Sequence, residues 1–301
     1  MTINNFWIFS PVNTVTSPLL FEMIRSFSKL AETLNLSHAV QELSSTRQTV
    51  RRHIDNLEEI KGEKLFEVVN RQYELSEAGR NALPEAEQIL ARGHAWLRGQ
   101  LSGADGMMRI SFSNSDGWEY FQEQQQMSEV WSAKSELLRT AIACWAKSGG
   151  DLESEHMRAV RPYFLVYRDT PSGWICVEVG EKSFYSTWWG WAEARSSIGR
   201  SLGQFPGGEE FAKIMDAPFR EVQNNHSLRL DQVATRVPRV LGGDPITLCF
   251  QRLLMGARMP DGSFALVTVV DRSEKVTVSG LDQGWIDDMP ADAKVNFIEF
   301  E

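Results

Sequence analysis

Cysteine is scarce in this chain, with three in 301 residues, at Cys144, Cys176 and Cys249. They form no CxxC pair and no Cys/His ligand spacing, which argues against a zinc site or a disulfide framework and fits a reducing cytoplasm. Long apolar runs are missing too. None approaches the roughly 20 residues a membrane span needs, and no basic region followed by an apolar core opens the chain, so no membrane partner and a cytoplasmic location are expected. Also missing are a Ser/His/Asp motif, a phosphate-binding glycine loop and a cluster of metal ligands. The Gly-Gly pairs at 149–150, 207–208 and 242–243 read as loop punctuation. No catalytic residue, metal site or named cofactor is therefore assigned. Residues 1–16 lack charge altogether and read as a leader that packs on the first helix or on a partner.

What is present points to a folded chain of two domains. Its hydrophobic content is 42%, and 301 residues suffice for two cores at about 100–200 residues each. The most informative stretch runs from Leu34 to Glu58. Asn35 can cap a short helix that carries Leu36, Ala39, Val40 and Leu43 on one face, with small Ala39 allowing a close crossing. Ser44-Ser45 is the turn. Thr46 then caps a second helix whose apolar positions Val50, Ile54 and Leu57 recur at i, i+4 and i+7. Arg47, Gln48, Arg51 and Arg52 are left pointing outward, donors of the kinds that read base edges and hold phosphates. Asn35, Ser37, Thr46 and Thr49 complete the candidate DNA-facing set. The pattern is that of a helix-turn-helix.

From Phe27 to Gly79 the chain resembles the winged helix-turn-helix of LysR-type transcriptional regulators. The run LEEIKGEKLF from Leu57 to Phe66 is similar to that family's exit from the recognition helix, and ELSEAG from Glu74 to Gly79 to the end of its wing. Val40 stands where a second alanine is usual, and Thr46-Arg47 where serine and glutamine are common. The resemblance implies double-stranded DNA as a partner and a long linker helix that makes a homodimer. A winged helix-turn-helix is expected over 17–76, entered by a helix that Ser17-Pro18 starts, with Arg71 at the wing tip reaching a groove or phosphate. The linker helix is expected over 77–102, with Leu83, Ala86, Ile89, Leu90, Gly93, Trp96 and Leu97 as its stripe and Pro84 as a kink or restart. Two such heads about one helical turn apart would read an approximately palindromic site.

A net charge of −9 looks unsuited to binding DNA, yet its distribution is uneven. Residues 1–100 hold eleven Lys/Arg against twelve Asp/Glu, leaving 20 against 28 for the remainder. Screening confines phosphate attraction to about 8–10 Å, so the arginines of the second helix weigh more than the total.

Beyond the Ser102–Gly106 break, residues 107–160 read as a mainly helical connector, with Glu119 to Lys147 rich in glutamine. Residues 161–275 have another order: a hairpin at Tyr163–Arg168 and Trp174–Val179, helices at Thr187–Ala194 and Glu209–Met215, then strands at about Leu228–Val237, Ile246–Met255 and Ser263–Asp271. Two strands, helices and three antiparallel strands is the order of a PAS domain, and TWWGWAEARSSIGRSL and ARMPDGSFALVTVVDR resemble segments of that fold. The fold class expected is α+β: a winged helix-turn-helix with a long linker helix, then a PAS-like antiparallel sheet with flanking helices and an extension over 276–301. The resemblance implies a domain that senses a small-molecule effector or mediates association with a protein. Trp188, Trp189 and Trp191 could line a cavity for a flat ligand, with His226 as the default axial ligand should it be haem; ordinary core packing and a surface loop are the competing readings. Neither Cys176 nor Cys249 stands in an Asn-Cys-Arg motif, which disfavours flavin-adduct light sensing. Two alternatives stay open: a LysR-type regulator with a divergent periplasmic-binding-protein-like effector domain, and an interaction module that uses a degenerate winged helix without binding DNA.

Overall fold

In a computed structural model of the chain, the residues described are 18–293 apart from 71, 98–106, 114–117, 133–134, 171–172, 206–207, 239–242, 273–275, 280 and 292. The leader and Arg71 lie outside them. The chain divides into two compact units, Met1–Leu90 and Ala91–Glu301.

In the first unit, helix α1 (Leu20–Thr33) begins after Leu19, which offers no side-chain cap. Pro18 stands in the turn ahead of it instead of at its first position, and Ser17 lies outside the described residues. Met23, Ile24, Phe27 and Leu30 form its buried face. Helices α2 (Leu36–Glu42) and α3 (Arg47–Lys61) follow, and α3 ends at Gly62, whose φ of 72° is a left-handed conformation that glycine adopts without a Cβ penalty. Strands β1 (Phe66–Val69) and β2 (Gln72–Leu75) pair antiparallel, with Phe66 opposite Leu75. One continuous helix, α4 (Glu77–Leu97), then runs with Pro84 inside it. Its Ala86 and Leu90 join Phe27, Leu36, Ala39, Val50, Ile54 and Leu57 in a single core.

The second unit is built on one seven-stranded sheet. Strands β3 (Arg109–Ser113) and β4 (Glu119–Gln125) open it; helices α5 (Glu129–Ser132) and α6 (Glu136–Ser148) follow, then the hairpin β5 (Phe164–Thr170) and β6 (Gly173–Val179). Helices α7 (Phe184–Trp189), α8 (Trp191–Ser196) and α9 (Gly208–Asn225) precede β7 (Leu228–Pro238), β8 (Pro245–Arg258) and β9 (Phe264–Arg272), and α10 (Gln283–Asp287) comes last. The strand order is β3-β4-β7-β8-β9-β5-β6. Every strand pair in it is antiparallel.

Side-chain alternation along the central strand β8 divides the core in two. Leu253 and Met255 face α6, packing with Leu137, Leu138 and Ala141. Leu248 and Leu254 face α7 and α9, packing with Tyr185, Trp188, Met215, Phe219 and Val222. Burial on both faces explains the continuous apolar character of this strand.

Three sequence-based expectations need correction. Glu119–Gln125 is a strand, not the start of a helical connector: glutamate and glutamine favour helices in isolation, but Tyr120 and Gln122 alternate into the core and pair with Thr235 and Val233 of β7. The helix expected over Thr187–Ala194 is two helices, because Gly190, at φ 88°, breaks the run between Trp189 and Trp191. The helix expected over Glu209–Met215 continues to Asn225 through Pro218.

Candidate nucleic-acid interface

Local capping sets the helix-turn-helix. Asn35 Oδ1 accepts from the amides of Ser37 at 2.9 Å and His38 at 3.3 Å, satisfying two donors that the first turn of α2 leaves unpaired. The turn passes through Ser44 at φ 49°, where the Ser45 amide donates to the Val40 carbonyl at 3.0 Å. Thr46 Oγ1 accepts from the Thr49 amide at 3.1 Å and starts α3. Its inward stripe of Val50, Ile54 and Leu57 is buried, and His53 Nδ1 meets Ser26 Oγ of α1 at 2.8 Å. Burial, reinforced by the positive charges of Arg52 and Arg25, holds the His53 imidazole pKa below its ordinary value.

With the inner face fixed, Arg47, Gln48, Arg51 and Arg52 are exposed on the outer face, together with Thr46 and, on α2, Asn35 and Ser37. Thr49 is half-buried, and its Oγ1 lies 2.9 Å from that of Thr46. Arg47 Nη2 donates to Ser37 Oγ at 2.7 Å, bringing the first turns of α2 and α3 together. The wing is fastened from the other end of α3. The buried Glu58 carboxylate accepts from the amides of Leu65 at 2.9 Å and Phe66 at 3.2 Å, and Lys64 Nζ reaches it at 2.6 Å. Ser76 Oγ donates to the Lys64 carbonyl and accepts from the Gly79 amide at 2.9 Å, closing the wing against the start of α4.

Residues 21–80 match the family described as bacterial regulatory helix-turn-helix protein, lysR family. They are a LysR-family helix-turn-helix domain. Among solved structures, the chain is similar to the DNA-binding domain of CbnR in complex with DNA, at 30% identity over 26% of this chain and 92% of that one, with a TM-score of 0.25. It is similar to CbnR, a LysR family transcriptional regulator, at 28% identity over 27% of this chain and 29% of that one, with a TM-score of 0.25. It is similar also to Corynebacterium glutamicum OxyR in its oxidized form, at 25% identity over 26% of each chain, with a TM-score of 0.26. The chain thus spans about a quarter of the length of these last two proteins. No curated protein matches it significantly.

Beyond the LysR-family domain, the structure separates the candidate ligand-binding residues. Trp188 is buried, Trp189 is half-buried against Tyr185 and Phe205 at ring separations of 4.5 Å and 6.4 Å, and Trp191, past the Gly190 break, is exposed. His226 sits exposed in the turn from α9 to β7, at φ 46°, its ring edge-on to Phe264 with the centroids 5.5 Å apart. The ring neighbour of His226 is thus a phenylalanine and not one of the three tryptophans. A cavity of about 280 Å³ opens elsewhere, lined by Trp174, Leu202, Glu209, Ala212, Lys213 and Asp216 among others, and holds none of these four residues. Among the described residues no group of His, Cys, Asp or Glu is arranged to hold a metal ion, and no helix is long and apolar enough to cross a membrane.

Sequence reasoning missed a buried charge cluster on the α9 face of the sheet. Arg229 and Arg252 are only 1% and 5% exposed and share the fully buried Asp231. The signal was present: a lone arginine inside the apolar run TLCFQRLLMGA, and an Arg-x-Asp pair in the neighbouring strand, where charged groups stay buried only with partners.

Proposed function

We propose that this chain is a dimeric LysR-type transcription regulator whose α3 reads the major groove of DNA and whose C-terminal unit senses a small molecule. One observation carries the DNA-binding reading: α3 buries Val50, Ile54 and Leu57 and presents Arg47, Gln48, Arg51 and Arg52 outward, in a domain matched to this family. An arginine paired bidentately to guanine supplies sequence preference, and arginines on phosphate supply affinity that falls with salt. The exposed Ile89, Trp96 and Leu97 of α4, the last two 69% and 70% accessible, support association through that helix.

Within the sheet unit, β5 and β6, then helices, then β7, β8 and β9 follow the PAS-type order, and β3-β4 extend the sheet at one end. The wholly antiparallel pairing favours this reading over a periplasmic-binding-protein-like effector domain, which alternates strands and helices into parallel units. A small molecule held between sheet and α7–α9 would act on DNA binding through a differential affinity for two arrangements of the dimer.

Fluorescence anisotropy with a bound duplex tests the DNA reading. Replacing a base-reading arginine by alanine is expected to cost about 1–3 kcal/mol and to relax preference at one base pair. Replacing a phosphate-holding one should lower the salt slope by about one. Unchanged binding in all four alanine variants would overturn the assignment and favour an interaction module built on a degenerate winged helix.

A further inference from the structure

Two arginines sit inside the sheet–α9 layer with fewer acceptors than donors. Arg229 Nε donates to Asp231 Oδ1 at 2.8 Å, and its Nη1 pairs with Glu221, which lies nearer the surface. Arg252 Nη2 donates to Asp231 Oδ2 at 2.9 Å and to Gln122 Oε1 at 2.8 Å, while its Nη1 faces only the Met215 thioether at 3.0 Å. The two guanidinium groups thus share the buried Asp231, and Glu221 supplies a second carboxylate to Arg229 alone. Arg252 Nε, Arg229 Nη2 and Gln122 Nε2 are buried with no acceptor among the described residues. Each of these three nitrogens is a donor, on residues no more than 5% exposed. Burying a donor without an acceptor is unfavourable, more so for a charged group, so these nitrogens are placed to meet an acceptor that the described residues do not provide.

The surroundings define the rest of the partner. Tyr120 Oη lies 2.7 Å from Gln122 Oε1 and 3.7 Å from Met215 Sδ. Phe211 packs edge-on to Tyr120 at 5.7 Å, and Trp118 lies against both. On the neighbouring strand Thr268, also buried with its hydroxyl unmet, is placed diagonally from Arg252, since Arg252 pairs with Val270 and Leu254 with Thr268. The flexible Met215 side chain covers the guanidinium, and the adjacent Asp216 lines the 280 Å³ cavity on the rim of α9.

Resting on the sensor reading above, we propose that Arg252, with Gln122 and Arg229, anchors the carboxylate of a small ligand whose apolar, flat body lies against the aromatic side chains between sheet and α9, displacing Met215. A guanidinium matches a carboxylate in charge and in planar geometry.

The test is the thermal unfolding of the full-length protein with sodium formate, acetate or benzoate, against sodium chloride at equal ionic strength and against benzamide as the uncharged counterpart of benzoate. Benzoate is expected to raise Tm, by about 3–6 °C for each tenfold excess over its Kd, with benzamide inert. Arg252→Gln should abolish the shift. Gln122→Glu, which builds a carboxylate in beside Arg252, should raise Tm by itself and remove the response. If Arg252→Gln does not fold, Met215→Ala gives an independent reading, since clearing the thioether should strengthen the benzoate response. Equal shifts from benzoate and benzamide, no shift from any of the three carboxylates, or a response that survives Gln122→Glu would overturn the anchor. DNA affinity measured on the same protein without ligand is a separate readout, so failure here leaves the regulator reading standing, and loss of DNA binding leaves the anchor standing.

Discussion

Arg47 Nη2 donates to Ser37 Oγ at 2.7 Å, so the first side chain of α3 is held by the helix before it. Such a bond on the surface contributes little to folding. In the proposed DNA-binding reading, its value lies in orienting a long, rotamer-rich side chain before DNA arrives. Ser37→Ala should therefore leave Tm unchanged and raise the Kd for a cognate duplex about two- to fivefold, roughly 0.5–1 kcal/mol, read by fluorescence anisotropy. An unchanged Kd would place Arg47 outside the reading set.

Glu58 links α3 to the wing. Its Oε1 accepts from the amides of both Leu65 and Phe66, so truncation leaves two buried donors without an acceptor. Glu58→Ala should destabilise the wing by about 1–3 kcal/mol. Hydrogen exchange at those two amides, faster by at least tenfold than in the native protein, is the expected readout.

His53 makes the winged helix sensitive to acid. Burial and the nearby Arg52 hold its folded-state pKa below the ordinary 6.5, so the native state binds fewer protons than the unfolded chain. The contribution is therefore complete above about pH 6.5 and is lost as pH falls from there through the folded-state value. Helix α3 should exchange amides faster at pH 5.5 than at 7.5, after correction for intrinsic rates. That pH effect should shrink in His53→Gln.

Gly79 is required by contact rather than by backbone conformation. A Cβ built there would stand 2.0 Å from the Leu65 carbonyl oxygen, where only backbone could give way. Gly79→Ala should cost about 1–3 kcal/mol by overpacking and separate α4 from the wing, lowering the Tm of the first unit.

The parts of this account legible in the sequence are those decided by neighbours a few residues apart. Asn35 and Thr46 mark their helix starts because a cap acts within three residues, and Val50, Ile54 and Leu57 mark an inner face because helix period is local. Strand β4 was not legible. Its glutamines favour a helix locally, and strand pairing decides otherwise, with β3 on one side and with β7, more than a hundred residues away, on the other. The same holds for Arg252, Asp231 and Gln122, which meet only when three strands align. The three tryptophans fall within four residues of sequence, yet Gly190 divides them between two helices with different burial.

The central claim, that α3 reads DNA sequence as part of a dimer, is tested most directly by selecting bound duplexes from a random pool with the full-length protein. The account predicts enrichment of an inverted repeat with half-sites about one helical turn apart, and loss of preference at one position per half-site when a base-reading arginine among Arg47, Arg51 and Arg52 is replaced by alanine. Recovery of the pool without enrichment would contradict it.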